Sequence, residues 1–90
     1  MPTLRVTVKG FVQGVGFRAY VAGLARSLGV CGEVWNQRDG SVGAILQHPD
    51  PEVLRMVVER LWEGPGKVDA VEAEEVDLPT FRDFQIGMTR

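Results

Sequence analysis

Leu4-Arg5-Val6-Thr7-Val8-Lys9 runs straight into Gly10-Phe11-Val12-Gln13-Gly14-Val15-Gly16-Phe17-Arg18. The first run alternates apolar and polar side chains, the period of a strand with one buried face. From Phe17 the period changes. Phe17, Val21, Leu24 and Leu28 recur at helical spacing, and Gly29 is placed to end the helix. The stretch between them is therefore a strand-to-helix loop. Its three glycines allow a tight turn and bring backbone N–H groups close to a ligand. The helix start adds unbonded N–H groups and the positive end of its dipole. Arg18, in the first helical turn, contributes a permanent charge on a planar fork of donors. Such a loop suits a small oxyanion, above all a phosphoryl group.

Outward from this unit, Val30 to Asn36 reads as a second strand. Gln37-Arg38-Asp39-Gly40 is a hairpin turn, signalled by Asp-Gly, and Ser41 to Gln47 returns as a third strand. Asp50 and Pro51, in His48-Pro49-Asp50-Pro51, are the N-cap and first residue of a second helix. Leu54, Val57, Val58 and Leu61 form its apolar stripe, and Gly64-Pro65-Gly66 stops it. Residues 68 to 76 read as a fourth strand whose alternation slips between Ala73 and Val76, which predicts a bulge there. Phe84-Gln85-Ile86 is a short fifth strand. The predicted fold is α+β, a ferredoxin-like βαββαβ two-layer sandwich with an antiparallel sheet and two helices on one face.

Chain direction then brings distant residues together. If the first strand runs up, the first helix runs down and the second strand runs up again. The glycine loop and Asn36, which ends the second strand, must share an edge of the sheet. In the usual strand order 4-1-3-2 the third strand separates them, a gap of roughly 10 Å. A phosphoryl group, the Arg18 side chain and a water can span it. The 37–41 turn and the 63–66 loop reach the same edge, whereas His48 falls at the opposite one.

Ninety residues predict a single domain, 1–90, with one core. No apolar run is long enough to cross a bilayer, and Met1-Pro2-Thr3-Leu4-Arg5 lacks the core of a secretory signal. One cysteine, Cys31, makes no internal disulfide and reads as a small packed side chain. The expectation is a cytoplasmic monomer. A net charge of −2 argues against a general nucleic-acid partner. The distribution of charge is more telling. Residues 1 to 32 carry Arg5, Lys9, Arg18 and Arg26 and no acid, which favours an anion at the glycine loop. Asp69, Glu72, Glu74, Glu75 and Asp77 cluster without a base and read as a solvated strand face or edge.

Other phosphate motifs fit poorly. The nucleotide-binding P-loop needs Gly-Lys followed by Ser or Thr, and here Gly16 precedes Phe17 and Arg18. Gly14, Gly16 and Ala19 match a relaxed dinucleotide fingerprint, but that fold needs a larger, parallel sheet. Lys9-Gly10-Phe11 is similar to the start of an RNA-recognition motif, yet Val42-Gly43-Ala44-Ile45-Leu46 offers no aromatic platform.

The run Gly10-Phe11-Val12-Gln13-Gly14-Val15-Gly16-Phe17-Arg18 resembles the signature of the acylphosphatase family. So do Gly32-Glu33-Val34-Trp35-Asn36 with Asp39-Gly40-Ser41-Val42, then Gly64-Pro65, Val68, Val71 and Phe84-Gln85-Ile86. The resemblance covers essentially the whole chain. Phe11 and Trp35 stand where the family commonly has basic residues, and Gly66 where it has alanine.

The resemblance implies hydrolysis of acyl phosphates to a carboxylate and inorganic phosphate; no metal-ligand cluster accompanies the candidate residues, so neither metal nor cofactor is expected. It implies that Arg18 and the amides of Gln13, Gly14, Val15, Gly16, Phe17 and Arg18 bind the phosphoryl group, and that Asn36 positions the attacking water. The chemistry is compatible. The leaving carboxylate has a conjugate acid of pKa roughly 4, so no general acid is required near neutral pH. Phosphoryl transfer can rest on positioning and charge stabilisation. A second reading stays open, a non-catalytic module for phosphate or carbamoyl phosphate, because the family's domain also occurs inside larger maturation proteins.

The remaining aromatic residues divide. Phe17, Tyr20 and Trp62 are expected in the core. Trp35, beside Asn36, is expected at the surface against the acyl part of the substrate.

Overall fold

A computed structural model describes residues 1–90. The elements are β1 (Thr3–Phe11), α1 (Phe17–Ser27), β2 (Cys31–Asn36), β3 (Val42–Gln47), α2 (Pro51–Leu61), β4 (Lys67–Glu75) and β5 (Phe84–Ile86). They form one five-stranded sheet in the order β4-β1-β3-β2-β5, with both helices packed on one face. The four strands expected from the ferredoxin-like reading are antiparallel neighbours. The sheet as a whole is mixed, because β5 joins β2 in parallel through Gly32–Phe84, Glu33–Gln85 and Val34–Ile86.

Alternation in β1 and β2 sends Val6, Val8 and Val34 into a sixteen-residue buried cluster between sheet and helices. Against them α1 buries Phe17, Val21, Ala22 and Ala25, while Leu24 and Leu28 pack at its flanks. The two alanines at the centre let the helix approach the sheet closely, so the buried face is turned from the predicted leucine stripe. Helix α1 closes in a Schellman arrangement, Gly29 N donating to Arg26 O at 3.3 Å and Val30 N to Ala25 O at 2.8 Å. Helix α2 starts as its sequence dictates, with Glu52 N donating to the Asp50 carboxylate at 3.0 Å and Pro51 following the cap. It buries Leu54, Val57 and Leu61, each stabilising the fold by about 1.5–3 kcal/mol relative to exposure.

Three expectations need correction. The β4 irregularity lies opposite Lys9 and Gly10, where the register skips Asp69, and residues 73–75 pair with β1 without a break. Gly10 accommodates this bend at φ +132°. The alternation slip at Ala73–Val76 has no such meaning, because residues 72–75 of this edge strand are exposed.

Trp62 is not a core residue. It caps the end of α2 and is half exposed, while the stripe ends at the fully buried Leu61.

Trp35 is not at the surface. It is 1% exposed and lies outside the sandwich core, on the face of the sheet away from the helices. Its indole lies over Gly43 of β3, where a Cβ would come within 2.7 Å of the ring. The guanidinium groups of Arg5 and Arg90 cover it at 5.6 and 4.0 Å from the ring centroid.

Candidate active site

The edge where β1 ends and α1 begins is built from backbone first. Gly16, the residue before α1, has φ +85° and gives the helix no side-chain cap. No backbone bond outside the helices and strands is donated by an N–H between Gln13 and Ala19, and the first comes from Tyr20 N to Gly16 O at 3.1 Å. A row of N–H groups at the positive end of a helix is thus left to an outside acceptor. The first turn of α1 carries no acidic residue.

Arg18 sits in that turn, half-buried. Its Nη1 donates to the Gly87 carbonyl at 3.3 Å, and it forms no ion pair. Asn36 ends β2 and is held by pairing with Val42 and by the Arg90 N–H, which donates to its carbonyl at 2.9 Å. The two residues come together as the strand order requires. Val12, Gly14, Gly16, Phe17, Arg18, Ala19, Asn36 and Ile86 line one pocket of about 200 Å³. Val12 and Phe17 are its buried floor, the glycines, Arg18 and Asn36 its polar end, and Ala19 and Ile86 its exposed apolar rim.

Gln13 and Val15 do not line this pocket. The Gln13 side chain turns to the β2–β3 turn, donating to the carbonyls of Gln37 at 2.7 Å and Ser41 at 2.9 Å. Val15 packs against the core beside the 63–66 loop. Trp35, buried on the far face, is no part of the pocket. Sequence reasoning missed Ile86 and the Gly87 carbonyl, which reach Arg18 only because β5 adds to β2 on the outer side. The sole signal was Phe84-Gln85-Ile86 as a strand, with nothing to say which edge it would join.

The turn beside Asn36 is internally braced. Asp39 Oδ1 accepts from the Ser41 hydroxyl and the Ser41 N–H, and Gln37 Nε2 donates to Ser41 Oγ at 2.7 Å. The hydroxyl first, then the N–H, hold the Asp39 carboxyl below its ordinary range.

A larger, mainly apolar cleft of about 580 Å³ lies between α2 and the β1–β4 edge, lined in part by Leu4, Pro51, Leu54, Val58 and Val76. Its one basic side chain, Arg55, is paired with Glu52 and Glu59. The smaller pocket alone combines free amides, an unpaired guanidinium and a carboxamide.

Fold and site together define a class: ferredoxin-like α+β sandwiches with an uncapped helix start, an unpaired arginine and a strand-end asparagine on one edge. The sequence profile of the acylphosphatase family matches residues 4–86. The chain is 57% identical over 67 residues to Acylphosphatase 2 of Ralstonia nicotianae, covering 70% of this chain and 67% of that protein. It is 44% identical over 86 residues to the acylphosphatase of Rhizobium etli, covering 92% and 90%. The crystal structure of acylphosphatase from Bacillus subtilis superposes with a TM-score of 0.92 at 33% identity, covering 97% of this chain and 99% of that one. The chain belongs to the acylphosphatase family.

Proposed function

We propose that this chain hydrolyses acyl phosphates to a carboxylate and inorganic phosphate, without a metal ion, through a single domain spanning residues 1–90. One observation carries the reading: the free amides of the glycine loop, Arg18 and Asn36 share a pocket of about 200 Å³. In this reading the amides and Arg18 surround the phosphoryl oxygens, where charge is greatest in the transition state. Asn36 orients a water through its carboxamide. The water oxygen bonds to phosphorus as the bond from phosphorus to the acyl oxygen breaks. The carboxylate leaves with the electron pair, and the water's proton passes to a phosphoryl oxygen. The acyl part runs out over Ala19 and Ile86.

The same reading makes the protein a cytoplasmic monomer with a small-molecule substrate and no nucleic-acid partner. Supporting it, Cys31 is unpaired and half-buried, and no helix is long and apolar enough to cross a membrane.

The test is hydrolysis of benzoyl phosphate in the presence of a chelator. Turnover that survives chelation supports the reading, and turnover abolished by chelation removes its metal-free mechanism. A folded chain that binds phosphate but leaves benzoyl phosphate intact would instead be a binding module for phosphate or carbamoyl phosphate.

A further inference from the structure

Gln13 immediately precedes the first pocket glycine, Gly14, and Gln37 immediately follows Asn36. One nitrogen joins the two segments. Gln13 Nε2 donates to Gln37 O at 2.7 Å and to Ser41 O at 2.9 Å, using both N–H groups of its carboxamide. The two carbonyls belong to opposite sides of the β2–β3 turn, where Gln37 N also donates to Ser41 O at 2.8 Å. Beyond them, Trp35 Nε1 lies 3.4 Å from Gln37 Oε1, and Gln37 Nε2 bonds the buried Ser41. The turn is a fixed body, and Gln13 is fastened to it.

The loop itself is held by the packing of Val12 and Val15 on the core, and no other hydrogen bond joins it to this turn. Its N–H groups make no backbone bond, and β1 is separated from β2 by β3, so no ladder bond ties the loop to Asn36.

We infer that Gln13 is a positioning residue that sets the gap between the phosphoryl cradle and the water held by Asn36, an inference that rests on the roles proposed above. Its effect falls on turnover more than on phosphate binding. An anion moves with the amides that hold it, whereas attack requires the water and the phosphorus to meet, and about 1 Å of misplacement can cost ~10²-fold.

Gln13→Met keeps the length of the side chain and removes its donors. Neither carbonyl is orphaned, since Gln37 O still accepts from Gly40 N at 3.1 Å and Ser41 O from Gln37 N at 2.8 Å. The variant is therefore expected to fold. Its kcat on benzoyl phosphate should fall by about tenfold or more, with the inhibition constant of phosphate unchanged within about twofold. In an Asn36→Ala background the same substitution should change kcat by less than about twofold, because the group it positions is gone. An equal fall in both backgrounds overturns the inference, as does a phosphate inhibition constant that rises in step with the fall in kcat. An Asn36→Ala protein as active as its parent overturns it too, by removing the role of Asn36. Absence of turnover in the unsubstituted chain is the separate result that defeats the hydrolase reading itself.

Discussion

The guanidinium of Arg18 donates to the carbonyl oxygen of Gly87 at 3.3 Å, across 69 positions of sequence. One arm of the fork is thus used to aim the side chain, and the other donors stay available to a phosphoryl group. Arg18→Ala should abolish measurable hydrolysis of benzoyl phosphate and weaken inhibition by phosphate. Arg18→Lys keeps the charge but cannot hold Gly87 and a two-pronged phosphoryl contact at once. It should retain partial phosphate inhibition and lose about 10²-fold in kcat. Tight phosphate binding by the alanine variant, seen by calorimetry, would refute this assignment.

Asn36 makes a different claim on the same assay. Its side chain has no protein hydrogen-bond partner, and its backbone is fixed on both sides by Val42 and Arg90. Asn36→Ala should lower kcat by roughly 10²–10³-fold, the range for loss of one preorganised polar group, and leave the phosphate inhibition constant unchanged. Lost phosphate binding would move Asn36 into the cradle.

Ile86 is 44% exposed at the pocket rim. Ile86→Ser removes apolar surface from the path of the acyl group. The KM for benzoyl phosphate should rise about five- to tenfold, and that for acetyl phosphate by less than about twofold. Equal effects on both substrates would place the acyl group elsewhere.

Gly32 has φ +141°, and a Cβ there would run into the carbonyl oxygen of Ile45 on the adjacent strand. Gly14, at φ +75°, has open space around it. Gly32→Ala combines strain with a backbone collision and should destabilise by roughly 2–4 kcal/mol, against about 1–2 kcal/mol of strain alone for Gly14→Ala. Urea unfolding of the two variants gives the comparison, and similar midpoints would contradict it.

Asp39 predicts a pH dependence with a definite sign. Its folded pKa is depressed, first by the Ser41 hydroxyl, so its contribution to stability is complete above the ordinary value of 3.8 and fades as pH falls through the depressed one. The stability difference between the parent and Asp39→Ala should therefore narrow as pH drops below about 4. In Ser41→Ala, the Asp39 carboxyl followed by NMR should titrate nearer its ordinary value.

The elements were largely legible in the sequence because local patterns set them: alternation in Leu4–Lys9, the Asp50-Pro51 cap, the Asp-Gly turn. The proximity of Arg18 and Asn36 followed from chain direction alone. What escaped was set across strands. Trp35 looks exposed until Gly43 is seen beneath it and Arg5 and Arg90 above it, and neither sequence distance announces those contacts. Alternation misplaces the β4 bulge because a strand with wet faces has no need to alternate. The sequence marks Gln13 only as an amide donor, since its carbonyl partners lie on a turn 24 and 28 residues away.

The parallel addition of β5 to β2 also has a kinetic consequence. Both side chains proposed to bind the phosphoryl group and orient the water lie within residues 18–36, yet the Gly87 carbonyl that aims Arg18 and the Ile86 wall arrive only with β5. A partly assembled chain with β1 through β3 in place would possess the loop and the asparagine without a directed guanidinium. Parallel pairing between segments so far apart is expected to form late, after the local hairpin and helices. Recovery of turnover during refolding should therefore lag behind recovery of helical signal, and enzyme activity becomes a clock for the docking of a three-residue strand.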